Sequence, residues 1–168
     1  MAVSAAARRL QPPPVRALPG APPGRFRVLY ADPPWTTFPL RQLPLRGLAD
    51  DEALLFLWAP AAKLAEALRV MERWGFRYQT CLAWKGEPGR PAGFEPPELL
   101  LIGARGLVLA ALNGSIEESV RHPGSDAIYK WIEQMCPPGP RASLFAASPP
   151  EGWTPLPDSL WGGLQPSE

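Results

Sequence analysis

A carboxylate, two consecutive prolines and a tryptophan stand together at Asp32-Pro33-Pro34-Trp35, directly after the apolar run Val28-Leu29-Tyr30-Ala31. The run reads as a buried strand, so the tetrapeptide is a turn that places an acidic and an aromatic side chain at a strand's carboxyl end, where open α/β sheets gather their ligands. Each proline fixes its own φ and disfavours helix at the residue before it, which holds the carbonyls and side chains of the turn in one arrangement. Such a corner suits a flat, amine-bearing substrate. The exocyclic amine of adenine is a poor nucleophile because its lone pair is delocalised into the ring. Acceptors at Asp32 and the neighbouring carbonyl can engage its hydrogens and localise that lone pair, while Trp35 can stack on the base, a contact worth ~1–3 kcal/mol in nucleic-acid sites. The competing reading is a plain proline turn, with Asp32 as its cap and Trp35 packed at the rim of the core.

The elements that must position this corner follow from the apolar pattern. Ala53-Leu54-Leu55-Phe56-Leu57-Trp58 is continuously apolar, as a strand covered on both faces must be. Pro60 suits a helix's first turn, Leu64, Leu68 and Met71 recur at helical spacing, and Gly75 after Trp74 is a C-cap. Arg77 to Lys85 and Glu98 to Arg105 are predicted strands separated by a Gly/Pro loop from Gly86 to Pro97. Ser125 or Asp126 caps a helix through Ile128, Trp131, Ile132 and Met135, which Pro137-Pro138-Gly139-Pro140 must end. A strand over Ala142 to Ala146 precedes a proline-rich C-terminal segment. Apolar runs alternating with amphipathic stretches predict an α/β fold with a mostly parallel sheet flanked by helices.

A length of 168 residues with 46% apolar content fits one domain with a sizeable core. Residues 1–24 are rich in Ala, Arg and Pro, contain no acid, and read as a disordered arm. Residues 25–163 form the predicted domain and 164–168 a tail. The net charge of +1 says little, but Arg8, Arg9, Arg16, Arg25, Arg27, Arg41 and Arg46 face a single acid, Asp32, within the first 49 residues. That basic end could meet phosphate, or simply be solvated. Cys81, Cys136 and the lone His122 have no metal-ligand spacing, and the two cysteines read as free, reduced thiols. No apolar stretch approaches a membrane span and no secretory signal is visible, so a cytoplasmic protein is expected.

The ordered set of motifs resembles the MT-A70 family of S-adenosylmethionine-dependent adenine N6-methyltransferases. The resemblance runs over residues 26–163 and rests on Arg27 to Trp35, Leu55-Phe56-Leu57-Trp58, Trp74-Gly75-Phe76, Trp84-Lys85, Glu98 to Leu101 with Arg105-Gly106, Leu144-Phe145-Ala146 and Gly152-Trp153. It implies a Rossmann-like methyltransferase fold in which Asp32, Pro33, Pro34 and Trp35 form the catalytic turn that receives adenine, with S-adenosylmethionine as methyl donor and no metal. The implied substrate side also includes Lys85 and Arg105 beside Trp35. The implied cofactor side comprises Asp32, Arg121, Asp158 and Ser159.

The chain departs from the family pattern at several cofactor contacts. The loop after the catalytic turn is short, from Thr36 to Asp51. Gly124 or Ser125 stands where relatives carry a carboxylate-binding lysine, Ser143 and Ala147 replace a Glu and an Arg, and Pro149 and Pro150 replace polar contacts. Arg121 is near enough in sequence to the lost lysine to take its role, and Arg105 is a second substitute. Asp158, in the segment aligned with the ribose contact, can accept ribose hydroxyls. Two function classes follow: an adenine N6-methyltransferase acting on nucleic acid, DNA before RNA, or a catalytically silent relative that binds nucleic acid or a partner subunit. A homodimer or heterodimer is compatible with either, and methylation of a small molecule or protein is a third option.

Overall fold

In a computed structural model of the chain, residues 25–84, 97–106, 126–146 and 148–161 are described. The predicted N-terminal arm, the loop through Lys85 and the segment containing Arg121, Gly124 and Ser125 lie outside them, as do Ala147 and the C-terminal tail.

Six strands form one sheet: β1 (Phe26–Ala31), β2 (Ala49–Pro60), β3 (Arg77–Trp84), β4 (Glu98–Arg105), β5 (Arg141–Leu144) and β6 (Trp153–Leu156). Their spatial order is β3-β4-β2-β1-β5-β6. β1 pairs in parallel with β2 on one side and β5 on the other, and β6 continues in parallel beyond β5. β4 is the reversed strand, antiparallel to both β2 and β3. The chain leaves β1 toward β2 and later returns to the other side of β1 at β5. The carboxyl ends of β1 and β5 therefore flank a topological switch point, where doubly wound sheets open a crevice. The fold is an α/β Rossmann-like methyltransferase fold.

Both faces of the sheet are covered, which is why β2 is apolar without alternation. On one face, Leu29, Ala31, Leu55, Leu57 and Leu101 pack with helix α2 (Leu64–Arg73), the short helix α1 (Leu45–Leu48) and a 3-10 turn at Leu40–Gln42. On the other, Val28, Tyr30, Leu54, Phe56, Trp58, Leu100 and Ile102 pack with helix α3 (Asp126–Met135). Pro60 ends β2 instead of opening the helix, and a 3-10 turn at Ala61–Lys63 comes between them.

The buried stripe of α2 differs from the Leu64, Leu68, Met71 spacing. Ala67, Val70, Met71 and Trp74 are fully buried, whereas Leu64 and Leu68 are each 37% exposed. Trp74 sets this rotation, because its indole Nε1 donates to the Leu40 carbonyl at 2.8 Å and draws the i, i+3, i+4, i+7 row around it inward. Gly103 of β4 lets the helix approach closely: a Cβ there would lie 2.8 Å from Met71 Sδ. The helix ends in a Schellman arrangement, Phe76 N–H donating to Met71 O at 3.0 Å and Gly75 N–H to Glu72 O at 2.9 Å.

β6 was not expected from the proline-rich C-terminal segment. It is four residues long and carries Pro155, which an edge strand tolerates because its outer side needs no ladder donor. Opposite the switch point, the Arg25–Asp51 and Arg27–Glu52 ion pairs join the starts of β1 and β2, and as exposed pairs they add little stability. Cys81 and Cys136 are free thiols. Burial at the end of α3 pushes the Cys136 thiol up to about 12, with the Arg141 charge opposing.

Two outcomes follow from this packing. Gly75 has φ +88°, and a Cβ there would also meet Arg46 Nε at 2.9 Å. Gly75→Ala is expected to cost about 1–3 kcal/mol in a urea denaturation series, and an unchanged midpoint would refute the account of this cap. Cys136 holds its proton more tightly folded than unfolded, so stability present below the ordinary thiol range near 9 is lost as pH rises toward 12. The slope from this group approaches about 1.4 kcal/mol per pH unit there, and Cys136→Ala should flatten it in denaturation measured from pH 8.5 to 11.

Candidate functional site

The catalytic turn predicted from sequence begins one residue beyond β1, at the switch point. Pro33 is buried, Pro34 and Trp35 are half-buried, and Asp32 is exposed. The backbone closes on itself through Thr37 N–H donating to Pro34 O at 3.3 Å. Trp35 is held by its edge: Nε1 donates to the Trp58 carbonyl at 2.9 Å, near the carboxyl end of β2. A tryptophan fixed by its N–H keeps its ring plane in one orientation and leaves part of the ring surface for a flat partner. The indole of Trp58 in turn donates to Tyr30 Oη at 2.9 Å inside the core. One chain of side-chain bonds thus ties the turn to β2 and β2 back to β1.

Beneath the turn, on the α3 face, Tyr30, Tyr129 and Trp153 meet edge to face, with centroids 5.0 Å apart for both Tyr30–Tyr129 and Tyr129–Trp153. Their polar edges are satisfied. Tyr129 Oη and Ser143 Oγ share a hydrogen bond of 2.8 Å, and Trp153 Nε1 donates to Glu133 Oε1 at 2.7 Å. Ser143 stands where the family resemblance leads one to expect Glu, and a hydroxyl suits a fully buried place opposite a phenol. Burial raises the Tyr129 phenol above its ordinary value; the Ser143 bond opposes this, and the negative charges of Asp32 and Asp126 add to the rise. Tyr129 is therefore a neutral wall of the site.

Strand alternation carries the α3 face across the sheet edge. Asp32 follows Val28 and Tyr30 in phase, and Glu98 lies opposite Pro60 on one side and Trp84 on the other. Glu98 Oε2 is buried with no hydrogen-bond partner among the described residues. Two carboxylates, one exposed and one with an unspent oxygen, thus stand with Trp84 along the edge that holds the turn.

On the other side of the switch point, β5 ends at Phe145, which adopts φ +66° and donates its N–H to Leu156 O at 2.9 Å. Its ring meets Phe38 edge to face at 5.5 Å, so the loop after the turn is joined to the end of β5. Beyond β6, Asp158 and Ser159 open a 3-10 turn, both exposed and on the same carboxyl edge as Asp32. Their oxygens fit a group with hydroxyls to bind, as the ribose of a nucleoside cofactor has.

Arg105 is not brought to this edge. It pairs with Ala53 near the amino-terminal part of β2, and its Nη1 donates to Arg46 O at 2.7 Å and Ala49 O at 3.2 Å. Burial lowers its pKa; Asp51 opposes this, and Arg46 and Arg25 add to the lowering. Its strand-end position in the sequence was right, but β4 runs in reverse, so that end lies away from the turn. Lys85 and Arg121 lie outside the described residues; Trp84, the residue before Lys85, is on the site edge. Among the described residues, no group of three or more His, Cys, Asp or Glu side chains is gathered to hold a metal, and no helix is long and apolar enough to cross a membrane.

A doubly wound sheet with a pinned acidic-aromatic turn at its switch point defines the class as Rossmann-like methyltransferase. Comparison with known proteins agrees. The chain is 26% identical over 170 residues to a "Probable N(6)-adenosine-methyltransferase MT-A70-like" of Oryza sativa subsp. japonica, covering 83% of the chain and 24% of that protein. It is 25% identical over 170 residues to the "N(6)-adenosine-methyltransferase MT-A70-like" of Arabidopsis thaliana, again 83% of the chain and 24% of the relative. It is also 22% identical over 181 residues to the "Type II methyltransferase M.MunI" of Mycoplasma sp, covering 80% of the chain and 78% of that protein. No protein-family model matches the chain. The chain is thus a distant relative of the MT-A70-like methyltransferases and spans about a quarter of the length of the plant relatives it matches.

Tyr30→Phe removes the acceptor for the buried Trp58 indole. The orphaned donor should cost about 1–3 kcal/mol in chemical denaturation, and a wild-type midpoint would show that this bond does not tie β2 to β1.

Proposed function

We propose that the chain is an adenine N6-methyltransferase that moves a methyl group from S-adenosylmethionine to adenine in nucleic acid, with DNA placed before RNA. The observation that carries this reading is the Asp32-Pro33-Pro34-Trp35 turn at the switch point, its indole pinned to the carbonyl of Trp58. Relatives named as adenosine methyltransferases support it.

In this reading the cofactor supplies a methyl group already activated on a sulfonium, so the protein contributes alignment and polarisation. Trp35 stacks on the purine and fixes its plane. Asp32 accepts a hydrogen bond from the N6 amine, which localises the nitrogen lone pair; as the N6–methyl bond forms the sulfonium C–S bond would break to leave a neutral thioether, and the surplus N6 proton would leave along the Asp32 hydrogen bond to solvent. Glu98 presents its unspent oxygen along the same edge to the polar rim of the base. Asp158 and Ser159 take ribose hydroxyls of the cofactor, while Arg121 serves its carboxylate in place of the family's lysine. Lys85, following Trp84, meets substrate phosphate. A base inside a duplex must be extruded to reach the turn, at a cost of a few kcal/mol. A second subunit, of the same or another chain, completes the substrate grip that the short loop after the turn leaves small.

The specific observation favouring a silent binding protein is the replacement of polar cofactor contacts by Pro149 and Pro150. Lost charge-assisted contacts are worth roughly 1.5–3 kcal/mol each. Calorimetric titration with S-adenosylmethionine separates the two readings: saturable heat is expected, and no heat at millimolar cofactor would leave only the silent one. Methyl transfer should be assayed in parallel on adenine-containing DNA, RNA and free nucleoside, and transfer to the nucleoside alone would discard the polymer. Asp32→Asn keeps the shape of the turn but removes its charge, and should lower the rate about 100-fold or more; a wild-type rate would remove Asp32 from the reaction.

A further inference from the structure

The charged residues on the α2 face are unevenly distributed. The 3-10 turn at Leu40–Gln42, helix α1 and the second half of α2 enclose a groove of about 570 Å³ lined by Arg41, Arg46, Arg69, Arg73 and Glu72 over an apolar floor that includes Leu43. All four arginines are exposed, and among the described residues none of them is in a salt bridge. Arg73 has a local reason to be a cation, lying in the last turn of α2 where the helix dipole favours positive charge. Arg46 likewise lies against the α2 C-cap, whereas Arg41 and Arg69 come from two further elements to the same concavity. With Glu72 offsetting one charge, the groove keeps an excess of positive charge that favours an anion.

The elements that shape the groove are tightly built. Arg46 crosses the α2 C-cap against Gly75, where its Nε occupies the space a Cβ would need. The Arg46 carbonyl receives Arg105 Nη1, and Trp74 binds the Leu40 carbonyl immediately before Arg41. Arg69 and Arg73 are four residues apart on one helix, hence neighbours on one face at about 5–6 Å between Cβ atoms. Among the described residues no aromatic side chain lines the groove, so these offer nothing on which a base could stack. Its chemistry is that of forked guanidinium donors, which match phosphate oxygens two at a time.

We propose that this groove binds the phosphate backbone of the nucleic-acid strand whose adenine enters the Asp32–Trp35 turn, without reading its sequence. The proposal rests on the methyltransferase reading for the identity of the strand. Arg41 lies six residues after Trp35, and even fully extended that connection spans only about 20 Å. The groove runs from Arg41 to Arg46 and the α2 C-cap, at the amino-terminal edge of the sheet where Arg105 reaches Arg46, so it lies about the length of β1, roughly 20 Å or a few nucleotides, from the base pocket. A cationic track that continues from a stacking site is how single strands are gripped independently of sequence.

The test is fluorescence anisotropy of a labelled single-stranded oligonucleotide of mixed sequence with the full chain and no cofactor, from 50 to 300 mM salt. Wild type should bind with a steep salt dependence. The triple variant Arg41→Gln/Arg69→Gln/Arg73→Gln should lower the slope of log K against log salt by about 2, at about 0.7 per lost phosphate contact. Should the triple variant fail to fold by circular dichroism, Arg69→Gln alone should lower it by about 0.7. An unchanged slope in a folded variant overturns the proposal, as does absence of oligonucleotide binding by wild type. Full competition by inorganic phosphate at constant ionic strength would make this a small-anion site. Equal competition by polyglutamate at matched charge would point to an acidic protein partner, and either result overturns the backbone role. Because no methyl transfer is read, the calorimetric titration with S-adenosylmethionine distinguishes the outcomes: absence of cofactor binding would sink the enzymatic reading and leave the salt slopes standing.

Discussion

Burial of β1 on both faces and along both edges is the constraint from which the site follows. With β2 on one side, β5 on the other, α2 below and α3 above, no residue from Val28 to Ala31 has anywhere to put a charge. A polar group can emerge only where the strand ends, and there Pro33 and Pro34 prevent both continuation of the ladder and entry into helix. Asp32 is therefore presented at the switch point by the exclusion of every alternative. The indole bond from Trp35 to the Trp58 carbonyl then fixes the orientation of the turn relative to β2. A corner fixed on two strands at once can hold a base in one plane, and a corner fixed on one could not.

The two faces of the sheet divide the work. The α3 face supplies an aromatic wall whose polar edges are all used: Trp58 on Tyr30, Tyr129 on Ser143, Trp153 on Glu133. A satisfied network of this kind is rigid, and leaving any member unpaired would cost more than the bond itself contributes. At the carboxyl edge the buried Oε2 of Glu98 has no partner among the described residues, as Arg141 Nε and Trp161 Nε1 have none elsewhere. An orphaned acceptor in an otherwise satisfied neighbourhood is where a ligand donor gains most, because the desolvation cost has already been met by the fold. The α2 face instead spends its polar groups on shape, with Trp74, Arg105 and the Gly75 cap all fixing the chain between β1 and β2.

Much of this was legible in the sequence because the chain announces its strands by continuous apolar runs. β1, the core of β2, β4 and α3 lie where those runs and the proline stops put them, and the catalytic turn falls at the end of the strand that precedes it. What was not legible depends on direction and rotation, which periodicity does not encode. Arg105 closes a strand in the sequence, but β4 runs opposite to β2, so that strand end faces away from the turn. The leucines at 64 and 68 share helical spacing with Met71, but the bond from Trp74 to Leu40 turns them outward. β6 was hidden because four residues with a proline carry too little pattern, and only its position at the edge makes it viable.

The placement of the arginines gives those observations a common meaning. Among the described residues, Arg25 and Arg27 are paired with carboxylates at the start of β2, while Arg41 and Arg46 are in no ion pair and share a groove with Arg69 and Arg73. The short loop after the turn has little length for aromatic or polar substrate contacts, yet it leads directly into the 3-10 turn that carries Arg41. Charge acts over a Debye length of about 8–10 Å and needs no close shape match. In the proposed reading, a chain with a short grip on the base compensates most simply by holding the backbone that carries it. Recognition would then separate into a rigid corner that tests for a purine amine and a cationic track that tests only for a strand. The first depends on ångström-level placement and the second on net charge, which explains why one is built into the core of the sheet and the other lies on its surface.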